Sequence, residues 1–257
     1  MAIFTQHPVF EAPANENAGI WRYLTFSKFI SLINSHALYF TVANRFEDKW
    51  EGTLPVQRKE NMDERIVSFY EQSRSMNAIN CWHMRESETA TMWKSYTHSN
   101  EGIAVKSTYK RLSSCFLDRE AAITYQCPVF IGKVKYIDYT SETFDSSNGY
   151  VPLLHKRNFF ADESEVRAVI GGGHLSNFFV QGLPGVNVPV DLTILIEAIY
   201  VDPVANDWFF DLVSSVVGDQ FEVKRSSIGE KPPRTSNMPP VQAYAMVKKA
   251  GKDWGPA

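Results

Sequence analysis

The stretch Asn80 to Val105, NCWHMRESETATMWKSYTHSNEGIAV, constrains this chain more than any other. Two Trp, a Tyr, two Met and a Cys are interleaved there with Arg85, Glu86 and Glu88. Glu101-Gly102 then leads into the apolar Ile103-Ala104-Val105. Aromatic side chains among charges point to a well-specified core helix or to the wall of a pocket. The pattern predicts a strand over Ala78 to Trp82 and a helix capped by Ser87. Ala90, Met92, Trp93 and Tyr96 fall at helical spacing. A turn over His98 to Gly102 precedes a strand from Ile103 to Lys106.

On the N-terminal side, residues 1–19 read as an irregular arm. Ile20 to Leu24 reads as a strand. A helix capped by Ser27 follows, with Phe29, Ile30, Leu32 and Ile33 on its apolar face, and then a strand from Leu38 to Val42. Residues 46–52 form a loop of aromatics and acids. Residues 60–76 predict an amphipathic helix with Met62, Ile66, Phe69 and Tyr70 on one side. Beyond the variable stretch 107–122 comes a strand over Lys133 to Ile137 and a polar loop over 140–150. The pattern then gives a helix over Leu153 to Phe160 and a strand over Glu165 to Ile170, ended by Gly171-Gly172-Gly173. The region from Leu192 to Val201 contains a strand, and Asn206 to Val217 a helix. Residues 226–240 read as a surface loop, and Gln242 to Lys248 as a last strand or helix. Strands and helices of mixed length, without internal repeats, indicate α+β architecture in a single domain over residues 20–257.

Composition narrows the function classes. An apolar fraction of 44% supports a substantial core rather than disorder. A net charge of −3 offers no basic surplus for holding nucleic acid through its phosphates. No apolar run approaches the roughly 20 residues that a membrane helix needs, and the N-terminus lacks a secretory pattern. Three cysteines without CxxC spacing argue for reduced thiols in a cytoplasmic protein, with neither a disulfide framework nor a Cys-based zinc site.

The strongest site signal is Glu163-Ser164-Glu165-Val166-Arg167. In a strand, residues two apart share a face, so both acids and Arg167 would point the same way. Paired acids need a cation, a metal or a substrate to offset them. The plain alternative is a solvated strand end with a Glu–Arg pair. Arg22, between Trp21 and Tyr23, offers a planar fork for phosphate or carboxylate flanked by stacking surfaces. The plain alternative there is an outward-facing strand residue. Glu47, Asp48 and Glu51, with Glu163 and Glu165, form an oxygen-ligand set suited to Mg²⁺ or Mn²⁺, as in a metal-dependent nuclease. Restriction-type nucleases, however, follow the second acid with a lysine, where this chain has Val166 and Arg167. Gly171-Gly172-Gly173-His174 lacks phosphate-cradle spacing and reads as a turn. Cys81 and His83 lack a third member and suggest a buried thiol rather than a nucleophile. The six histidines show no metal-ligand spacing.

Several motifs in order resemble a known family. They are the aromatic–basic–aromatic strand, a Phe-Ile-x-x-Ile helix, Leu-Tyr-Phe, Phe-Glu-Asp-Lys-Trp-Glu-Gly, Cys-Trp, Met-Trp-x-x-Tyr, Gly-Ile-Ala-Val, Lys-Tyr-Ile-Asp-Tyr, His-Lys and Glu-Ser-Glu-Val-Arg. Together they are similar to the bacterial family designated domain of unknown function 2971, over about residues 20–228. That resemblance carries no activity; it implies an association with mobile elements and phage defence.

A second resemblance is to ADP-ribosyltransferases of the DNA-modifying toxin branch, whose layout has a basic residue on an early strand and Glu-x-Glu opening a late one. It implies a mixed or antiparallel split sheet with flanking helices, and NAD as substrate. Arg22 would grip the NAD phosphates or the nicotinamide amide. Glu165 would bind the ribose and stabilise the oxocarbenium-like charge, and Glu163 would orient or deprotonate the acceptor. Thr25, Tyr39, Trp82, Tyr96 and Arg167 are the further expected NAD contacts. This chain departs from that family in having no Ser-Thr-Ser middle motif; Tyr39 with Thr41, or Tyr96 with Thr97, stands closest. The acceptor, nucleic acid or protein, is not indicated. The alternative to an enzyme is a defence protein that uses an aromatic cleft to bind a small ligand or a partner.

Overall fold

The computed structural model describes residues 2–97, 100–116, 127–145, 147–171 and 182–230. A short first strand, β1 (Ala2–Phe4), precedes the expected strand–helix–strand unit of β2 (Gly19–Thr25), helix α1 (Phe26–Ser35) and β3 (Ala37–Val42). Side chains alternate between faces along a strand. Ile20 and Leu24 of β2 therefore join Phe29 and Leu32 of α1 in the main core, while Trp21 and Tyr23 pack on the opposite face. Strand pairing of β2 continues to Thr25, opposite Gly102, so the helix starts at Phe26. Thr25, not Ser27, takes the cap position, and its side chain accepts no backbone bond.

Two helices follow, α2 (Val56–Glu60) and α3 (Glu64–Met76), and then the central strand β4 (Asn77–Met84). Helix α4 (Ala90–Thr97) and β5 (Gly102–Thr108) complete the aromatic segment. Helix α5 (Tyr109–Ser114) leads on to β6 (Cys127–Lys133), β7 (Lys135–Ile137), β8 (His155–Arg157) and β9 (Glu165–Gly171). The last elements are β10 (Gly185–Pro189), α6 (Leu192–Leu195), β11 (Ala198–Val201), α7 (Asp207–Val217) and β12 (Val223–Arg225).

Among the described residues ten strands form one sheet in the order β1-β6-β9-β4-β2-β5-β11-β12, with β3 pairing both β4 and β10. Pairing is mostly antiparallel, with β1–β6 and β11–β12 parallel; β7 and β8 form a separate parallel pair. The fold is α+β. On one edge β4 pairs β9 from Asn77 to His83. On its other edge β3 pairs only Ala78 and Ile79, and β2 pairs only His83 and Met84. Asn80, Cys81 and Trp82 thus face a split between β2 and β3. Side chains occupy the missing ladder positions: Asn80 Nδ2 donates to Tyr39 O at 2.8 Å, and the Arg22 guanidinium donates to Cys81 O at 3.4 Å.

Several local expectations differ from this fold. The arm before residue 20 is not wholly irregular, because β1 adds to the sheet edge and Phe10 is buried. The helix expected over 60–76 begins at Glu64, capped by Asp63. Only Tyr70 of its expected apolar face is buried, while Ile66 and Phe69 are exposed. Thr89, rather than Ser87, lies before α4 and accepts from Met92 N at 3.3 Å. The strand expected over Lys133 to Ile137 is two strands, because Val134 N leaves the ladder to bond Glu165 O at 2.9 Å. The helix expected over Leu153 to Phe160 is instead two 3-10 turns (Val151–Leu154 and Asn158–Glu163) flanking β8. Glu163 ends the second turn and does not lie in β9; Ser164, with φ 45°, separates it from the strand. His98-Ser99, Gly172 to His174 and Gln242 to Lys248 lie outside the described residues, as does the 226–240 loop beyond Glu230.

Candidate functional site

The carboxylates expected to make the site do converge, but on cations. Glu165 and Arg167 share a face of β9, and Arg167 Nε donates to Glu165 Oε2 at 2.7 Å. Arg167 also donates to Leu153 O at 2.8 Å and to Glu51. Lys156 Nζ, carried in by β8, lies 2.9 Å from Glu163, 2.9 Å from Glu165 and 3.5 Å from Glu51. Tyr96 Oη donates to Glu163 Oε2 at 3.1 Å, and Tyr136 Oη accepts from Glu165 N at 2.8 Å. The His83 ring meets Tyr96 at 4.9 Å, and its Nδ1 lies 3.1 Å from Glu163 O. Asp48 pairs with Arg157 at 3.0 Å beside this cluster, and Glu47 is exposed.

Three carboxylates face two cations here. Burial alone would raise Glu165, but Arg167 and Lys156 outweigh it and hold the carboxyl well below its usual range. Burial, together with the hydrogen bond and like charge of Glu165, lifts Glu163 to about 7. Burial opposes the charges of Lys156 and Arg167 too, but the surrounding glutamates prevail and raise both. Burial pushes the Cys81 thiol up to about 12, which suits an inert thiol. Burial lowers His83. The place a divalent ion would take among these carboxylates is held by the Lys156 ammonium. Among the described residues no group of three or more His, Cys, Asp and Glu is arranged to hold a metal.

Arg22 stands elsewhere. Its strand borders β4 on the edge opposite β9, and its Cβ is on the face of Ile20 and Leu24. Glu165 and Arg167 project from the other face, with Cys81 and Val169. The structure therefore brings Glu163, Glu165, Arg167 and Tyr96 together and leaves Arg22 across β4 from the acids, within electrostatic reach, among that cluster, of Tyr96 and His83 only. Trp82, an expected cleft wall and NAD contact, is fully buried in the main core; its indole N–H donates to Asn80 Oδ1 at 2.7 Å. Arg167 is also fully buried, with its guanidinium committed to Glu165, Glu51 and Leu153. Both lie beneath the surface that a ligand can reach. Thr25 sits half-buried at the end of β2, its Oγ1 3.1 Å from Ser27 Oγ.

The split holds a cavity of about 270 Å³ between β2 and β3. Arg22, Lys28, Ser31, Tyr39, Thr41 and Asn187 supply its polar lining, and Leu24, Leu32, Ala37 and Leu38 its apolar wall. Among the described residues it has no acidic lining residue. Arg22 lies 5.9 Å from the centroid of the Trp82 ring, and burial lowers its pKa to about 10. Tyr39 is 41% exposed, so its ring is open to a stacking partner. The sequence marks Arg22, Tyr39 and Thr41 but gives no sign of Lys28, Ser31 or Asn187. No local signal marks them, because α1 and β10 bring them to the split from two separate segments. It also missed Lys156, placed in a supposed helix.

No family model, curated protein or solved structure matches this chain.

Proposed function

We propose that the protein binds a small anionic ligand in the cleft of its split sheet, with a phosphate or carboxylate on Arg22. The observation that carries this reading is the environment of Arg22. A half-buried guanidinium faces a cavity that, among the described residues, contains a second cation, Lys28, and no acid; its hydrogen bond to Cys81 O, at 3.4 Å, is long. Desolvating a cation without a carboxylate partner is costly, and an incoming anion would offset that cost. Tyr39 adds a stacking surface, and Ser31, Thr41 and Asn187 add hydrogen-bonding groups. The volume lies near the lower end of small-molecule sites, which run from about 300 to 1,000 Å³. That suits the phosphate-bearing part of a nucleotide, with the remainder outside.

NAD is the specific ligand to try, because the transferase resemblance implies it. The transfer reading needs Arg22 and Glu165 on one cleft, and β4 stands between them. Glu165 is only 3% exposed and neutralised by two cations. Binding is therefore the function that the geometry supports best.

Titration calorimetry of the full-length protein with NAD, ADP and inorganic phosphate tests this. We expect saturable binding of at least one of them, weakened about 10- to 100-fold in Arg22→Ala, the range for losing a hydrogen bond to a charged group. Binding that is unchanged in Arg22→Ala, or absent for every probe, would sink the proposal. Release of nicotinamide from NAD by the wild-type protein would establish turnover in addition to binding.

A further inference from the structure

A second cavity, of about 340 Å³, shares no lining residue with the split. It lies between residues 8–11, the junction of β6 and β7, and the start of β8. Its volume falls within the range of small-molecule sites, about 300 to 1,000 Å³. A close approach of two segments builds one side of it. A Cβ on Gly132 would meet Phe10 Cα at 2.8 Å, so glycine is needed there for the N-terminal segment to lie on β6. Glu11 is thereby held beside two lysines: Lys133 Nζ lies 2.7 Å and Lys135 Nζ 3.7 Å from its carboxylate. Elsewhere in the lining, Asp145 accepts from Ser147 N at 2.9 Å and from Ser147 Oγ at 3.0 Å. The Phe144 ring stacks on His155 at 4.1 Å, and Val9, Val151 and Leu154 add apolar surface.

We propose that this cavity binds a small zwitterion with an apolar side chain, a free α-amino acid. Charge carries the choice of ligand, because the two cavities differ in it. Among the described residues the Arg22 cleft has two cations and no acid, whereas this cavity has two lysines and two acids. A simple anion would meet the like charge of Glu11 and Asp145, and a simple cation that of the lysines. A ligand with one charge of each sign finds a partner for both. Lys135 is the cation with capacity to spare, since Lys133 holds Glu11 more closely. His155 supplies a buried polar group, only 6% exposed. Its Nδ1 lies 2.8 Å from Val151 O, which can only accept, so the ring proton sits on Nδ1 and Nε2 is left as an acceptor. Burial, with a smaller push from the Lys135 charge, lowers the pKa of this ring and keeps it neutral near pH 7. Two carboxylates and an imidazole acceptor suit an ammonium, and Lys135 suits the α-carboxylate. Phe144 and Leu154 suit an apolar side chain rather than a further charge.

Titration calorimetry of the full-length protein with L-leucine and L-phenylalanine tests this. Each is compared with its desamino analogue, which lacks the ammonium, and its decarboxy analogue, which lacks the carboxylate. We expect saturable binding of at least one amino acid, about 10- to 100-fold tighter than either of its analogues, the range for losing a hydrogen bond to a charged group. Lys135→Ala should weaken the amino acid by a similar factor and leave the decarboxy amine unchanged. Asp145→Asn, which keeps a carbonyl oxygen for Ser147, should weaken the amino acid and leave the desamino acid unchanged. Both side chains are exposed, so these variants fold as the wild type does. Absence of binding for both amino acids overturns the proposal. Binding that either variant leaves unchanged overturns it too, because the amino acid then sits elsewhere. A desamino acid bound as tightly as its amino acid makes this an anion site and also overturns it.

Discussion

Single residues divide the charged groups of this protein into two kinds. Lys156 is structural: its ammonium neutralises Glu51, Glu163 and Glu165 where little water reaches. Removing one member of a buried ion group leaves the others unpaired, at a cost of about 3–5 kcal/mol. Lys156→Met should lower stability by about that amount in urea unfolding, and adding Glu163→Gln should recover part of it. A loss below about 1 kcal/mol would show that the cluster is solvated instead. Arg22 is the other kind, a cation held beside a cavity rather than against an acid. The Glu165–Arg167 contact was legible in the sequence, because an i, i+2 relation within one strand needs no tertiary information. Lys156 was not. Its segment has the apolar spacing of a helix, yet Arg157 pairs with Asp48 and Lys156 with Glu51, from a loop about a hundred residues away.

At the scale of elements, the split between β2 and β3 positions the cleft, and Asn80 spans it. Its amide donates to Tyr39 O and accepts from the buried Trp82 indole, which supplies hydrogen bonds where the ladder is interrupted. Asn80→Ala leaves that indole N–H and the Tyr39 carbonyl without these bonds, and should cost about 1–3 kcal/mol. The same substitution should loosen β3 and weaken ligand binding at Arg22. Amide exchange along Ala37–Val42 measures this, and protection unchanged from wild type would contradict it. The strands themselves were legible, since β2, β3, β5 and β9 follow apolar runs. The turn of residues 158–163 was not. Glu163 shares the cluster because the left-handed Ser164 folds it back, whereas strand alternation had given the right neighbours for a different reason.

At the scale of the molecule, the ion cluster makes stability depend on pH. Glu163 is ordinarily near 4.5 and is held up to about 7 in the fold. Between those values the folded state keeps a proton that the unfolded chain has released, so this group makes stability fall as pH rises. Glu165 is shifted down, so its contribution is present above about 4.5 and is lost on acidification. His83 and His155, lowered by burial, act oppositely to Glu163 and add stability as pH rises toward 6.5. Glu163→Gln should therefore remove one falling limb. Relative to wild type, its urea midpoint should gain between pH 5 and 7, and parallel profiles would refute the assignment. The sequence by itself determined the α+β class, most strands and the face each strand residue takes, because a period of two is a local property of the backbone. Only the tertiary structure decided that the acids meet lysine and arginine, and that Arg22 lies across β4 from them beside a cleft. Those outcomes depend on which strands pair and in what register, and the energy that selects a register comes from contacts between distant parts of the chain.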